Sequence, residues 1–384
     1  MSEIKQGYKQ TKVGIIPEDW EDIKIKDIVK VSQGLQIAID DRFTTPAHNR
    51  VFYITIPFIE GKKEEYIENP KSSTLCKKDD ILVVRTGSGV GKIIRGVEGA
   101  FHNNFFKVKP SDNINIDFFY YFLTSPRVQF LMAKYAGNSA IPDLNHGDFY
   151  SLDFLIPPLK EQEKIAEILT TWDKAITKQT ELLRAKELLK IALMQKLLSG
   201  EVRFDGFSDK WEEVKIKDIF EITRGYVLAV TEMSQEQTAE YKYPVYSSQT
   251  KNNGLTGYYK DYLFENCITW TTDGANAGDV NLRKGKFYCT NVCGVLKSDK
   301  GYANQCIAEI LNLVTKNYVS YVGNPKLMNN TMGGIKIKIP KSLPEQQKIA
   351  EVLSLADDEI NLLKNELEEL KLQKKALMQK LLTG

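Results

Sequence analysis

The fold is decided by the stretch Pro157–Gly200, which reads PPLKEQEKIAEILTTWDKAITKQTELLRAKELLKIALMQKLLSG. A second copy covers residues 345–384 and reads EQQKIAEVLSLADDEINLLKNELEELKLQKKALMQKLLTG. When Glu161 is aligned with Glu345, 20 of the 40 residue pairs are identical and no gap is needed. A gap-free match of this length indicates a true internal repeat.

Each copy predicts one long helix. Apolar residues recur at alternating steps of four and three, which is the spacing of a coiled-coil seam. Nine of ten seam positions are apolar in the second copy and seven of ten in the first. The polar exceptions are Gln179, Lys186, Lys190 and Lys374. A single amphipathic helix on a domain surface is the alternative, but such helices seldom exceed about 20 residues, which favours a pair.

Both segments carry residues that are typical of helix ends. Pro158 and Pro344 open them and are followed by Glu and Gln, as expected at a helix start. Gly200 and Gly384 close them, and glycine is preferred just after the last helical residue. The apolar pairs Leu193-Met194 and Leu377-Met378 near these ends are interpreted either as a partner-docking surface or as simple seam packing.

Composition limits the class of protein. With 384 residues the chain is long enough for two or three domains, and 42% hydrophobic with 10% aromatic residues excludes a disordered chain. No apolar run approaches the length of a membrane span, and the N-terminal segment lacks the apolar core of a signal peptide. The five cysteines show no disulfide or zinc spacing, so we expect a cytoplasmic protein with reduced thiols. The net charge of +2 gives only weak support for nucleic-acid binding.

Two globular regions alternate with the helices. They open alike, with WEDIKIKDI from Trp20 and WEEVKIKDI from Trp211, and Gly34 and Gly225 follow fourteen residues after each tryptophan. The alternation is typical of an amphipathic strand, or of the entry to a short helix, that packs Trp and Ile inward. We therefore predict four segments, which are 1–156, 157–200, 201–339 and 340–384.

Short strands separated by polar loops predict α+β domains. In the first domain we predict strands at Val51–Phe58, Ile81–Arg85 and Phe105–Val108, followed by one helical stretch near Ile116–Tyr135. In the second domain the corresponding segments are Tyr241–Tyr246, Cys267–Thr271, Phe287–Leu296 and, for the helix, near Asn304–Thr315.

The segment TGSGVGKI, residues 86–93, approaches a phosphate-binding loop but departs from it at two positions. A Walker loop needs glycine in place of Thr86 and Ser or Thr in place of Ile93. We predict a tight turn between the strand ending at Arg85 and the next strand at Ile93–Ile94, with TDGANAG from Thr272 as its counterpart. No metal helix, nucleophile elbow or amino-methylation motif is found, so we expect no catalytic centre in this chain.

The repeated motifs together resemble the specificity subunits of type I restriction-modification systems. The openings Trp-x-x-x-x-Ile-x-Asp-Ile and the endings Leu-Met-Gln-Lys-Leu-Leu-x-Gly carry part of the resemblance. The starts of the two helices carry the rest, with Pro158, Glu161, Gln162, Ile165, Ala166 and Leu169 in the first copy and Pro344, Glu345, Gln346, Ile349, Ala350 and Leu353 in the second.

The resemblance implies an α+β fold of two target recognition domains joined by two long antiparallel helices, a coiled-coil spacer with a pseudo-twofold repeat. Each domain would read one half of a split, asymmetric site in double-stranded DNA, and the helices would fix the spacing between the halves. It also implies two modification subunits that supply S-adenosylmethionine and adenine N6 methylation. Restriction subunits would supply ATP- and magnesium-dependent translocation and cleavage. This chain itself would be non-catalytic and hold no cofactor.

The polar loops of both domains are the candidate DNA contacts. Asn, Gln, Ser, Arg and Lys pair with base edges and phosphates, although Asn and Gly also simply form turns. In the first domain the candidates are Gln33, Gln36, Arg42, Arg85, Ser88, Lys92, Asn103, Asn104 and His146. In the second they are Arg224, Tyr226, Ser248, Gln249, Asn252, Asp273, Asn276, Lys326 and Asn329.

Two other functions stay open at this point. One is a structural coiled-coil adaptor whose globular ends bind proteins, which the seam alone would permit. The other is an enzyme that uses the Gly87–Lys92 turn to bind a nucleotide. The paired, divergent domains favour DNA recognition over both.

Overall fold

The chain forms an α+β fold in which each of two domains is followed by a long helix. The computed structural model describes residue 4 and residues 6–68, 70–87, 89–137, 140–248 and 251–383, apart from the side chain of Lys251. The chain divides into a first unit, Met1–Thr180 with Glu366–Gly384, and a second unit, Glu181–Asn365. Each long helix contributes residues to both units, and the predicted segment boundaries stay predictions.

The first unit is built from short strands and four short helices, which precede its long helix. Among the described residues its strands are β1 (Tyr8–Thr11), β2 (Gly14–Pro17), β3 (Glu21–Lys24), β4 (Val29–Gln33), β5 (Arg50–Ile54), β6 (Glu65–Glu68), β7 (Leu75–Cys76), β8 (Ile81–Val84), β9 (Ile93–Ile94), β10 (Gly99–Phe101), β11 (Phe105–Pro110) and β12 (Asp153–Ile156). Its helices are α1 (Ile56–Ile59), α2 (Ile116–Thr124), α3 (Pro126–Ala136), α4 (His146–Tyr150) and the first part of α5 (Leu159–Ser199).

The second unit repeats this plan. Among the described residues its strands are β13 (Glu212–Lys215), β14 (Glu221–Arg224), β15 (Tyr243–Tyr246), β16 (Leu255–Tyr259), β17 (Phe264–Thr271), β18 (Val280–Cys289), β19 (Cys293–Lys297) and β20 (Lys336–Ile339). Its helices are α6 (Ile216–Ile219), α7 (Gln305–Val314), α8 (Asn329–Gly334) and the first part of α9 (Leu343–Leu381).

The strand order is the same in both domains. The first domain has two four-stranded sheets, β4-β11-β8-β9 and β6-β5-β10-β7, and the second has one six-stranded sheet, β14-β19-β17-β18-β15-β16. The long strand β18 takes the places of both β9 and β10. It pairs antiparallel with β17 from Val280 to Phe287 and parallel with β15 at its last two residues, as β9 pairs with β8 and β10 with β5. The repeat predicted from the helices therefore extends through the domains.

The shared sequence openings form the same structure twice. After its tryptophan each domain has a four-residue strand, β3 or β13, that pairs antiparallel with the last strand of the domain, β12 or β20. A single helical turn follows, at Ile25–Asp27 in the first domain and as α6 in the second. The two predicted alternatives, a strand or the entry to a short helix, thus occur one after the other. Trp20, Ile25 and Ile216 are buried, whereas Trp211 is half-buried.

Three of the predicted elements are wrong in detail, each for a local reason. Residues 56–59 form α1 instead of continuing a strand, because Pro57 stands at the start of a helical turn. The helical stretch near 116–135 is two helices, since Ser125 caps α3 and a proline follows it. The predicted strand Phe287–Leu296 is divided between the end of β18 and most of β19, which a turn at residues 290–292 joins and which do not pair with each other.

A buried glutamine joins the first domain to α5. The side-chain amide of Gln162 is 1% exposed, accepts the backbone N–H of Asn115 at 2.8 Å and donates to the Pro157 carbonyl at 2.9 Å. Asn115 is the N-cap of α2. Next to it, the Trp20 indole donates to the Glu161 carboxylate at 3.1 Å. The Glu-Gln pair that marks the helix start therefore also fastens the helix to the domain.

The second unit contains the same joint. Gln346 is fully buried, accepts from the side chain of Asn304 at 2.8 Å and donates to the Pro340 carbonyl at 2.7 Å. Asn304 is the N-cap of α7, the counterpart of α2. The buried Glu345 carboxylate accepts from the Trp211 indole at 3.4 Å and holds both ends of the Arg203 guanidinium, at 2.8 and 2.7 Å.

The apolar core of each domain continues onto the helix pair. In the first unit it includes Ile165 and Leu169 of α5 together with Met378 and Leu382 at the end of the second helix segment. In the second unit it includes Leu197, Leu198, Ile349 and Leu353, with Leu193 and Met194 packed against it. Leu377 likewise packs against the first core. The apolar helix ends thus cover the core of their own unit, which favours packing over the partner-docking interpretation.

Acidic residues pair with the polar positions of the seam. In the first unit Lys374 binds Asp173 at 2.5 Å and Gln179 donates to Glu366 at 2.9 Å. In the second unit Lys186 binds Glu359 at 2.6 Å and Lys190 binds Asp357 at 2.5 Å. Within each unit the partner's number falls as the number along α5 rises, so α5 and α9 are antiparallel there. Such pairs contribute little to stability and serve mainly to fix the register of the two helices.

We expect the Gln346→Leu substitution to lower the free energy of unfolding of the second unit by about 2 kcal/mol, because the Asn304 amide and the Pro340 carbonyl would lose their partner in a buried place. The matched control is Gln347→Leu, the same change at the exposed neighbour, which should stay within about 0.5 kcal/mol of wild type. Urea denaturation of both variants measures the difference. Equal midpoints would show that the joint does not stabilise the unit.

Candidate nucleic-acid interface

A tight turn after the central strand is the first element of the candidate interface. In the first domain the Val84 N–H donates to the Lys92 carbonyl at 2.9 Å and the Gly91 N–H to the Val84 carbonyl at 2.8 Å. The turn predicted between Arg85 and Ile93 is therefore confirmed. The segment joins two strands of a sheet and opens no helix, which removes the context that a phosphate-binding loop requires.

The second domain forms the same turn at its counterpart segment. The Thr271 N–H donates to the Asp279 carbonyl at 2.9 Å and the Gly278 N–H to the Thr271 carbonyl at 2.9 Å. The backbone pattern matches the first domain position by position, at a constant offset. The two turns therefore share a backbone while they present different side chains.

A short loop, here called the tip, lies beside each turn and joins two strands that do not pair with each other. It covers residues 102–104 between β10 and β11 and residues 290–292 between β18 and β19. The glycine predicted to be equivalent in the two domains packs against this tip. A Cβ atom on Gly34 would lie 2.2 Å from the His102 carbonyl oxygen, and one on Gly225 would lie 2.1 Å from that of Cys289. Only glycine permits this approach, so the loops after β4 and β14 lie directly on the tips.

A polar side chain crosses from the glycine loop to the tip in both domains. The Gln33 amide donates to the Asn103 carbonyl at 2.7 Å, and the Arg224 guanidinium donates to the Asn291 carbonyl at 2.6 Å. The Asn103 side chain in turn donates to the Gln36 side chain at 3.0 Å. These contacts bring the candidates Gln33, Gln36 and Asn103 together.

A third segment, which contains Asp143 in the first domain and Lys326 in the second, pairs with the turn. It forms an ion pair in both domains, and its own residue is the acid in the first domain and the base in the second. In the first domain Arg85 forms a two-point pair with Asp143, at 2.9 and 3.2 Å. In the second the acid is on the turn, where Asp273 lies 3.8 Å from Lys326. Both pairs are partly exposed. Such pairs contribute about 0–1 kcal/mol, so phosphates or base edges can compete with them at low cost.

Two histidines of the first domain face this cluster. The His102 Nδ1 atom accepts the Asn104 N–H at 3.0 Å, and burial, aided by Arg42, lowers the pKa of His102. The His146 ring packs edge-on against Phe106, with its Nε2 atom buried and unpaired within the described structure. Burial and the nearby Arg85 likewise lower the pKa of His146.

The second domain adds a loop between β15 and β16. The Asn276 side chain donates to the Ser248 carbonyl at 2.8 Å, which fixes this loop to the turn. Asn252 and Asn253 adopt positive φ angles of 50° and 51°, a backbone region that asparagine tolerates better than other residues with a side chain. Tyr226, beside Gly225, is 63% exposed.

The other candidates fall into three groups. Lys92 is exposed at the end of its turn, and Asn329 is half-buried at the first position of α8. Arg42 differs from the rest, because its guanidinium binds the Ile37 carbonyl at 2.8 and 3.1 Å and the buried Glu65 at 3.4 Å. It anchors its own loop. Ser88 and Gln249 lie outside the described residues.

Sequence reasoning missed Asn291 and Asp143. Asn291 lies on the tip of the second domain, at the position that corresponds to Asn103 in the first, and Asp143 pairs with Arg85. Aligning FHNNF at 101–105 with CTNVC at 289–293 would have found Asn291. No sequence signal pointed to Asp143, since it meets Arg85 only through pairing of segments that are far apart in the chain.

The interface supplies hydrogen-bond donors and acceptors on loops that a sheet holds in place, which suits the readout of base edges and phosphates. Among the described residues no cluster of three His, Cys, Asp or Glu side chains could hold a metal ion. No helix in the described part of the chain is both long and apolar enough to cross a membrane.

Acidification should destabilise the first unit. His102 and His146 have lowered pKa values in the folded state, so the unfolded chain takes up more protons once the pH falls below the ordinary value of 6.5. The stabilisation is complete above that pH and is lost progressively as the pH falls from 6.5 through the lowered pKa values of the folded state. We expect His102→Asn, which keeps an acceptor for the Asn104 N–H, to reduce this loss between pH 7.5 and 5.5 in urea denaturation. An unchanged pH dependence would contradict the assignment.

Comparison with known proteins gives consistent matches. A family model described as the type I restriction modification DNA specificity domain matches residues 17–185 and 208–372. A protein of Mycoplasma pneumoniae that is named as the N-terminus of a type I specificity subunit is 43% identical over 143 residues, which cover 36% of this chain and 74% of that protein. The specificity subunit of the type I restriction enzyme MjaVIII from Methanocaldococcus jannaschii is 24% identical over 426 residues, covering 99% and 96% of the two chains.

A solved structure shares the fold. The S subunit of a type I restriction-modification system from M. genitalium superposes with a TM-score of 0.64 at 19% identity, covering 94% of this chain and 96% of that one. The predicted architecture of two α+β domains and a pair of long helices is thereby confirmed. Since the family model matches both domain–helix repeats and most of the sequence, the chain belongs to the type I restriction-modification DNA specificity family.

Proposed function

We propose that this chain is the sequence-reading subunit of a type I restriction-modification complex, with each domain reading one half of a bipartite, gapped DNA site. The observation that carries the proposal is the loop cluster that occurs in both domains. The turn, the tip and the glycine loop of this cluster keep the same backbone hydrogen bonds in each domain. A shared backbone with different side chains is what two reading heads of different specificity need.

The side chains differ at the positions that would meet DNA. Gln33 in the first domain is replaced by Arg224 in the second. The first domain has the pair Arg85–Asp143, and the second has Asp273–Lys326, in which the acidic partner is on the turn and one position further along it. Amides, guanidinium groups and carboxylates prefer different base edges. The two half-sites would therefore differ, and the complete site would be asymmetric.

The helix pair would set the gap between the half-sites and dock the modification subunits. Helix α5 has 41 residues without a break, which gives a rod of about 60 Å. A net charge of +2 is small for a DNA-binding chain, so we infer that partner subunits share the phosphate contacts, which provide most non-specific affinity.

Catalysis would reside in the partners. Two modification subunits would bind S-adenosylmethionine and methylate adenine, and restriction subunits would use ATP and Mg²⁺. This chain would hold no cofactor of its own. We place the complex in the cytoplasm, a reducing compartment that suits cysteines that are free and buried among the described residues.

The first test is methylome sequencing of cells that carry this chain with a cognate modification subunit, against cells that lack only this chain. We expect a new N6-methyladenine motif in two parts that are separated by a fixed number of unspecified bases. If the complex assembles and no new motif appears, the recognition role is wrong and the adaptor function is favoured.

Single substitutions show which domain reads which half of the DNA site. Asn103→Ala should relax one base position of the half read by the first domain, at a cost of about 1–3 kcal/mol in DNA binding, and leave the other half unchanged. Asn113→Ala is the matched control, because Asn113 is exposed beyond the opposite end of the same strand, β11. If all the candidate loop residues can be replaced without changing the motif, the interface lies elsewhere on the domains.

A further inference from the structure

The second domain contains a small polar cavity next to its candidate interface loops. Its volume is about 170 Å³. Four of its lining residues, Ser247, Asn253, Thr271 and Asp279, belong to the β15–β16 loop or flank the tight turn. Its walls also include Thr269, Asn281 and Arg283 of the central strands.

Arg283 is the unusual residue of this cavity. It is 6% exposed, its Nε donates to the Thr269 hydroxyl at 3.1 Å, and its Cζ lies 3.8 Å from the centre of the Tyr246 ring. Within the described chain no carboxylate lies at ion-pair distance from it. Asp279 lines the same cavity, but it pairs with Lys316 at 2.9 Å. A buried charge without a counter-charge is costly, so its retention calls for an anionic partner.

The fold itself does not require this polar set. Strand pairing makes Leu82 and Ile94 of the first domain the counterparts of Thr269 and Asn281. Those two residues belong to a wholly apolar buried cluster. The first domain therefore adopts the same fold with hydrocarbon side chains at the positions where the second domain has a hydroxyl and an amide group.

At this place the second domain also has a smaller side chain than the first. Phe105 pairs across from Val84 in the first domain, and Cys293 takes the corresponding place across from Thr271 in the second. A cysteine side chain is smaller than a phenylalanine ring, and Cys293 lines the cavity. The second domain thus has smaller side chains and a buried cation at a place where the first has a buried phenylalanine and other apolar side chains.

We propose that this cavity binds a phosphate group of the DNA backbone, with Arg283 as its principal ligand. This rests on the proposed DNA-reading function. A guanidinium group surrounded by hydroxyl and amide donors matches the oxygens of a phosphate. The cavity volume corresponds to roughly five water molecules, enough for a phosphate group with some ordered water. By binding a phosphate in this cavity, the second domain would fix its register on DNA, while its candidate interface loops read the bases.

The first experiment measures phosphate binding without DNA. Thermal unfolding of the full chain is followed in sodium phosphate and in sodium chloride of equal ionic strength, for wild type, Arg283→Met and Lys284→Met. Lys284 is exposed and adjacent on the same strand, so its variant loses the same charge outside the cavity. Phosphate at tenfold its Kd should raise the Tm of wild type and Lys284→Met by about 3 °C relative to Arg283→Met. An equal response of all three proteins would overturn the proposal and leave a water-filled cavity.

The second experiment identifies the source of the phosphate. The assembled complex is titrated with DNA that contains the bipartite motif and with unrelated DNA over a range of salt concentrations. Arg283→Met should weaken binding to both DNAs alike and reduce the slope of log K against log salt by about 1. A phosphate-specific Tm shift without any change in DNA binding would assign the site to free phosphate and overturn the DNA-backbone assignment.

The experiments on the phosphate site and the test of the recognition role can fail independently of each other. If Arg283→Met changes the salt slope while the methylated motif keeps its sequence, the cavity positions the DNA without reading it. A chain that produces no motif but shows the phosphate-specific Tm shift would retain the site and lose the proposed function. Arg283→Met should also be at least as stable as wild type in chloride, because it removes an unpaired buried charge. A lower Tm would instead mark Arg283 as a structural residue.

Discussion

A buried glutamine amide at the start of each long helix holds this structure together. Gln162 and Gln346 each connect the helix to the N-cap asparagine of a domain helix and to the carbonyl of the preceding proline segment. An amide buried this deeply must have both its donor and its acceptor satisfied, because an unpaired polar group costs about 1–3 kcal/mol. The requirement allows one docking of helix on domain, and it places the apolar face of the helix start on the core.

The helix pair depends on this docking. Once the start of α5 is fixed on the first domain and the start of α9 on the second, each helix reaches the other unit with its remaining turns. The lysines of the seam then meet carboxylates of the opposing helix within each unit. These pairs add little energy, but a wrong register would leave the charges unpaired against an apolar seam. Docking and register together determine which helix turns each domain packs on.

The loop cluster of the candidate interface is also held in the same way in both domains. The same backbone hydrogen bonds hold the turn, the tip and the glycine loop in both domains. The side chains that add to them, Gln33 and Arg224, differ between the domains, so side chains at these positions can diverge while the backbone is kept. The different ion pairs Arg85–Asp143 and Asp273–Lys326 illustrate this freedom, and so does the replacement of an apolar cluster by the Arg283 cavity.

The sequence by itself determined the elements whose pattern is local. The repeat, the seam spacing, the α+β class and the turn at 87–92 all follow from residues close together in the chain, because helical and strand periodicities and turn chemistry act over a few residues. The same reasoning failed at residues 290–292, where a turn without glycine interrupts an otherwise apolar stretch. Only the tertiary structure decided which distant residues meet. The partners of Gln162, the pairing of Arg85 with Asp143 and the isolation of Arg283 depend on the pairing of strands and segments dozens of residues apart, and no local pattern encodes that register.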